Sequence, residues 1–198
     1  MIEPIYILIA LLPLVAYLFV LGVIRVSGRV LITTGGRDIG ALGFAVCGWI
    51  AIGPMELFFP NPAAAAFGGW VWLALATVYG LIVSLLALTS RPRLVVYGRT
   101  PEQMIEPLYQ SALKIDPDAT CQRELAEVYL PNHRVRLRVS GHGALDSASI
   151  ESFEPLAVPA FWDRLLGHMR DQAGETSAPK PRRGWIMVAV ALILFACA

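Results

Sequence analysis

The chain has 198 residues, of which 56% are hydrophobic and 16% charged, with a formal net charge of +1. Globular domains usually carry about 25% charged residues, and this chain has no acidic or basic tail of the kind that engages nucleic acid. Its three cysteines, Cys47, Cys121 and Cys197, are scattered and form no CxxC, which argues against a disulfide framework or a zinc site.

The charge is unevenly placed. Residues 1–90 hold three acids and three bases, whereas residues 91–184 hold twelve and thirteen. Residues 5–24 form an uncharged run that ends at Arg25. A secretory signal would show a basic start, a shorter apolar core and a small-x-small cleavage site. The run is therefore expected to be a retained transmembrane helix, kinked at Pro13. Thr33-Thr34-Gly35-Gly36-Arg37 comes next. Hydroxyls, glycines and the N-terminal dipole of a following helix suit a phosphate, so Gly35, Gly36 and Arg37 are candidate anion or lipid contacts. A plain membrane-entry turn is the competing reading, and the motif matches neither a P-loop nor a dinucleotide fingerprint.

Residues 39–59 read as a second span, interrupted late by Pro54 and Glu56. Glu56 is the one ionisable group expected inside the spans, and intramembrane acids are functional by default. An interfacial, snorkelling position is the alternative. A short uncharged loop, 60–68, leads to residues 69–88, GWVWLALATVYGLIVSLLAL, with Trp70 and Trp72 at one end and Arg91 and Arg93 beyond the other. At about 1.5 Å per residue this run covers a hydrocarbon core of roughly 30 Å. Small residues recur at helical spacing: Gly40, Gly43 and Cys47 in one helix, Ala76, Gly80 and Ser84 in the next. These are the expected helix-packing faces, and they also suit an oligomer.

Past residue 90 the pattern changes. Residues 94–97 read as a strand broken by Gly98. Thr100-Pro101-Glu102-Gln103 is a helix start, with Thr100 as N-cap and Gln103 at the capping-box position. The helix runs to about Ile115, with Met104, Ile105, Leu108, Ala112 and Ile115 on one face. Residues 125–130 and 133–139 form the next expected strands, joined by a two-residue Pro131-Asn132 turn. In the second, Val135, Leu137 and Val139 alternate with Arg134, Arg136 and Arg138, so one side is buried. The turn would set Glu127 opposite Arg136. A third strand is expected over 145–153 and a helix over 160–170, with Phe161, Trp162, Leu165, Leu166 and Met169 sharing a face.

Met104–Leu130, through Tyr109, Ala112-Leu113, Asp116-Pro117 and Leu125–Leu130, resembles one tetratricopeptide repeat. The resemblance implies a helical pair, has no second copy in the chain and lends no function.

The expected architecture is three membrane spans plus a short C-terminal span with a small cytoplasmic α+β domain, order β-α-β-β-β-α. The divisions are 1–90 (membrane), 91–171 (α+β), 172–184 (linker) and 185–198 (C-terminal membrane segment). Arginines and lysines near the membrane place the N-terminus outside and 91–184 in the cytoplasm, at the plasma membrane.

Arg134, Arg136 and Arg138 are candidate anion or lipid contacts, against the reading of a solvated sheet face paired with acids. His142, Asp146, Ser147 and Ser149 could be drawn as a triad, but no nucleophile-elbow pattern surrounds either serine. His133, His142 and His168 match no zinc spacing. No catalytic residue, cofactor or metal site is expected. The expected partners are the bilayer and a membrane or cytoplasmic protein, with no nucleic acid. The function these features favour is a membrane scaffold or accessory subunit whose cytoplasmic domain binds a partner protein. A sensor of a small anionic ligand or lipid headgroup comes second, and a membrane enzyme acting on lipid third.

Overall fold

The computed structural model describes residues 4–55, 65–142, 146–153, 159–175 and 184–197. Two compact units divide the chain. One comprises Met1–Val23, Gly36–Ser90 and Trp185–Ala198, and the other Ile24–Gly35 with Arg91–Gly184.

In the second unit six strands form one antiparallel sheet: β1 (Leu31–Thr34), β2 (Arg93–Tyr97), β3 (Thr120–Gln122), β4 (Glu127–Leu130), β5 (Val135–His142) and β6 (Ser147–Ser152), in the order β1-β2-β6-β5-β4-β3. Two helices of this unit complete the fold, Pro101–Ile115 and Pro159–Glu175. In chain order they are α4 and α5, after α1 (Pro4–Val26), α2 (Gly35–Ile50) and α3 (Trp70–Thr89) of the more apolar sequence, with α6 (Gly184–Cys197) at the end.

Local chemistry explains α4. Pro101 occupies its first turn, and the Thr100 N–H donates to Gln103 Oε1 at 3.2 Å, the returning bond of a capping box. The apolar face of α4 (Met104, Leu108, Ala112) and that of α5 (Phe161, Leu165, Met169) share one core with Leu94, Val96, Val128, Leu130, Val135, Leu137 and Ile150. Burying each large side chain contributes about 1.5–3 kcal/mol. The arginine-alternating stretch is a strand with Val135, Leu137 and Val139 inward, as its period requires.

Several expectations change. Residues 31–34 are an edge strand, not a free turn: Leu31 pairs with Tyr97 and Thr34 with Leu94. Gly98 allows the close approach, since a Cβ there would sit 2.9 Å from the Arg29 carbonyl oxygen, and its φ is +91°. The β4–β5 turn has four residues, so Leu130 pairs with Val135, Tyr129 with Arg136, and Glu127 with Arg138. The register is two residues from the expected one, which keeps the buried face and changes every cross-strand pair. The cause is a side chain elsewhere in sequence. The Asp116 carboxylate accepts from the Asn132 backbone N–H at 2.9 Å and from Asn132 Nδ2 at 2.7 Å. Held there, the turn closes with Arg134 N–H on the Pro131 carbonyl at 3.1 Å and Arg134 at φ +53°. The tetratricopeptide resemblance ends with α4, because β3, a 3₁₀ turn (Arg123–Leu125) and β4 follow where a second helix is implied.

The multi-span reading is also overturned. Among the described residues one helix, α3, is long and apolar enough to cross a membrane, with 20 residues and a mean hydropathy of 2.3. The other apolar helical stretches, Ala10–Val26 and Gly184–Phe195, fall short of the ~20 residues a crossing needs. Among the described residues the fold is α+β with one such helix, not three spans plus a fourth. The alternating N-out topology loses its basis with them. Glu56, most of the expected 60–68 turn and most of the 172–184 linker lie outside the described residues.

In the apolar unit, α2 meets α3. Tyr79 Oη donates to the Gly43 carbonyl at 2.6 Å, and a Cβ on Gly43 would come within 2.7 Å of Val83. A Cβ on Gly36 would lie 3.3 Å from the Ala87 carbonyl oxygen. The α3 contact therefore runs through Tyr79, Val83 and Ala87. Ala76, Gly80 and Ser84 are exposed, and a Cβ at Gly40 or Gly80 would meet nothing within 4 Å. The contact stripe lies about 60° round the helix from the expected one, as a three-residue offset gives.

Candidate functional site

Alternation along each strand sends one residue set to the core under α4 and α5 and the other to the opposite face. On that opposite face the register builds a row. Arg93 pairs with Glu151, Glu151 with Arg138, Arg138 with Glu127, and Glu127 with Gln122. Four charged side chains thus alternate in sign across β2, β6, β5 and β4. Arg93 Nη1 lies 3.7 Å from Glu151 Oε1, with both side chains partly exposed. An exposed pair of this kind contributes only about 0–1 kcal/mol.

Two aromatic rings flank the row. The Arg136 guanidinium carbon sits 5.9 Å from the Tyr129 ring centroid and that of Arg138 5.7 Å from Phe153. Such contacts contribute about 0.5–1 kcal/mol at exposed positions and hold the arginines flat against the face. A hollow of about 340 Å³ lies between Tyr129 and Arg136, bounded by Thr120, Gln122 and Glu127. A larger cleft, about 540 Å³, opens beside the far half of β5.

The three arginines expected to act together do not converge. Arg134 sits in the turn. Arg136 lines the smaller hollow and Arg138 the larger cleft. Gly35, Gly36 and Arg37 open α2. A Cβ on Gly35 would strike Arg93 Cγ at 2.6 Å, so the room beside this glycine is filled by an arginine side chain. Arg37 is exposed. Gly40, Gly43, Cys47, Ala76, Gly80 and Ser84 belong to the apolar unit and contribute nothing to the sheet face.

Asp116 has a side-chain exposure of 0% and serves the β4–β5 turn. Burial pushes its carboxyl up. Hydrogen bonds from the Asn132 and Asp118 backbones, the Asn132 amide and His133 outweigh this and hold it below the ordinary value. His133 is thereby engaged, with Nδ1 3.7 Å from Asp116 and its ring 5.9 Å from Phe161. Ser149 Oγ donates to Glu151 Oε1 at 3.0 Å, so its hydroxyl serves the charged row and not a histidine. The His142 side chain lies outside what is described. Among the described residues no three His, Cys, Asp or Glu side chains are grouped to hold a metal ion.

Sequence marked Arg93 only as a basic flank of the apolar run, and Glu151, Tyr129 and Phe153 not as site residues. Glu151 and Tyr129 lie within strands, Arg93 opens β2 and Phe153 follows β6, so their grouping becomes visible only once the register is known. No known protein family, curated protein or solved structure matches the chain.

Proposed function

We propose that this is a membrane-associated interaction protein. The apolar unit, with α3 as its longest uncharged helix, embeds in the plasma membrane and holds the α+β unit at its cytoplasmic face, and the sheet face opposite α4 and α5 binds a partner protein. The observation that carries this reading is the row of alternating charges flanked by two aromatic rings on the sheet face opposite α4 and α5. Protein interfaces favour aromatic rings and arginine at their cores, and complementary charges set partner and register.

The orientation rests on basic residues. Arg25 and Arg29 precede β1, and Arg91, Arg93 and Arg99 surround β2. Because β1 and β2 are hydrogen-bonded neighbours, both groups share one side of any membrane the intervening segment enters. Cationic flanks favour the cytoplasm. The scattering of Arg134, Arg136 and Arg138 counts against a single anion-binding pocket.

The test uses the full chain in mild detergent. A protein should co-purify in fixed proportion with the wild type and be lost from the Arg136→Glu/Arg138→Glu double variant, whose melt, though lowered by the acids set side by side, should stay cooperative. Retention by the double variant would remove the sheet face as the binding surface.

A further inference from the structure

The two sides of β5 are unequally used. Toward β6 it is paired from Leu137 to His142. Toward β4 it is paired only from Val135 to Arg138. One bond extends the β4 side, from Val139 N–H to the Ala126 carbonyl at 2.9 Å. There β4 stops, because Ala126 turns into the left-handed region at φ +52° and the 3₁₀ turn Arg123–Leu125 leaves the sheet. Backbone groups alternate sides along a strand. Gly141, two residues beyond Val139, therefore turns its N–H toward the same unpaired side. Among the described residues no strand meets β5 there. An unpaired edge is a template for another strand.

The surroundings make that edge a cleft. The α4 start stands on one flank, with a Cβ at Gly141 meeting Pro101 Cγ at 3.1 Å, and the 3₁₀ turn stands on the other. Its volume, about 540 Å³, is in the range of binding clefts. Each flank carries an exposed acid, Glu102 from α4 and Glu124 from the turn; the other charged lining residues are Arg91 and the cross-strand partners Arg138 and Glu151. Neither Glu102 nor Glu124 forms an ion pair with a described residue. The Glu102 backbone N–H and the Thr100 hydroxyl hold the Glu102 carboxyl below its ordinary value, so it is anionic at neutral pH. Leu125, beside Glu124, is 54% exposed and offers an apolar surface.

We propose that an extended segment of a partner protein, carrying lysine or arginine next to an apolar residue, adds as a strand to β5 at Ser140–His142, with its cationic side chain between Glu102 and Glu124. Backbone pairing supplies the affinity in this mode and side-chain positions the selectivity. It deepens the partner-binding reading and rests on it.

The experiment measures fluorescence anisotropy of a labelled octapeptide alternating lysine and valine, with the full chain in a nonionic detergent. The expected result is saturable binding, weakened by salt. Binding should fall about tenfold or more for a glutamate-for-lysine peptide, and likewise for one N-methylated along a single edge. Glu102→Lys/Glu124→Lys should weaken it by the same factor, whereas Asp171→Lys, on α5, should leave it unchanged. Amide exchange at Gly141 should slow when the peptide is bound.

Equal binding of the N-methylated and unmodified peptides would overturn strand addition. So would the absence of saturable binding up to about 1 mM, or equal loss in Asp171→Lys. If the co-purifying partner survives Glu102→Lys/Glu124→Lys but is lost from Arg136→Glu/Arg138→Glu, this proposal fails while the partner-binding reading stands. If no partner co-purifies with the wild type, that reading fails first.

Discussion

Asp116 ties the end of α4 to the turn between β4 and β5. Its carboxyl is held below the 3.8 of an unperturbed aspartate. A depressed folded value means that the unfolded chain takes up the proton first. The contribution of Asp116 to stability is therefore complete above that value and is lost as pH falls below it toward the folded one. Melting curves of the full chain between pH 6 and pH 3 should fall more steeply for the wild type than for Asp116→Asn. Parallel curves would mean that the hydrogen bonds from Asn132 do not stabilise the ionised form. Asp116→Asn should also lower stability at neutral pH more than Asp118→Asn, since Asp118 accepts a longer bond from Asn132 Nδ2, at 3.2 Å. In the sequence Asp116 stands out only beside Pro117, within the tetratricopeptide-like stretch. Nothing local marks a carboxylate that will be buried sixteen residues from its partner.

Among the elements, β4 and β5 show what strand periodicity can and cannot settle. Alternation identifies which residues are buried, because it is a property of one strand. The cross-strand partner depends on turn length, and here a third segment sets that. A double-mutant cycle reads the outcome. Coupling between Glu127 and Arg138 should be about 0.3–1 kcal/mol, and should exceed that between Glu127 and its diagonal neighbour Arg136. Larger coupling to Arg136 would restore the two-residue turn. Leu137→Ala, which opens a cavity beneath the helices, should cost about 2–5 kcal/mol, against less than ~1 kcal/mol for Arg138→Gln.

The helices of the apolar unit tell a similar story. Small-residue spacing identified α2 and α3 as packing helices but assigned the contact to the 76, 80, 84 face of α3, whereas the 79, 83, 87 face, which has the same period, makes it. Gly43→Leu should therefore be strongly destabilising, because it strikes Val83, while Gly80→Leu should be tolerated. Leu75, 8% exposed, should cost more on truncation to Ala than Gly80→Leu does. Tyr79→Phe should cost about 0.5–1.5 kcal/mol through its lost bond to Gly43. Thermal melts in detergent rank the four, and equal values for Gly43→Leu and Gly80→Leu would place the contact elsewhere.

At the scale of the whole molecule, the α+β unit is discontinuous in sequence. Ile32, 3% exposed, belongs to its core, and Arg170 Nη2 donates to the Ile32 carbonyl at 3.1 Å. Composition drew the boundary at residue 90 because that is where charge density changes. It could not show that four residues upstream complete the sheet. A fragment of residues 91–184 should leave β2 as an unpaired edge and self-associate. A peptide covering 24–35, added in trans, should restore a monomer by size-exclusion chromatography. A monomeric fragment with an unchanged melt would mean that β1 is dispensable.

The pairing of Thr34 with Leu94 also sets a timetable for biosynthesis. The first member leaves the ribosome sixty residues before the second. At about 5–20 residues per second, that is an interval of roughly 3–12 s. Through it β1 has no partner, and the apolar segment up to Thr89 emerges before the sheet that will bracket it can close. The greasy insertion must therefore find its surroundings first. The nascent chain spends those seconds with an uncapped strand, a window in which a chaperone or the insertion machinery has the most to protect.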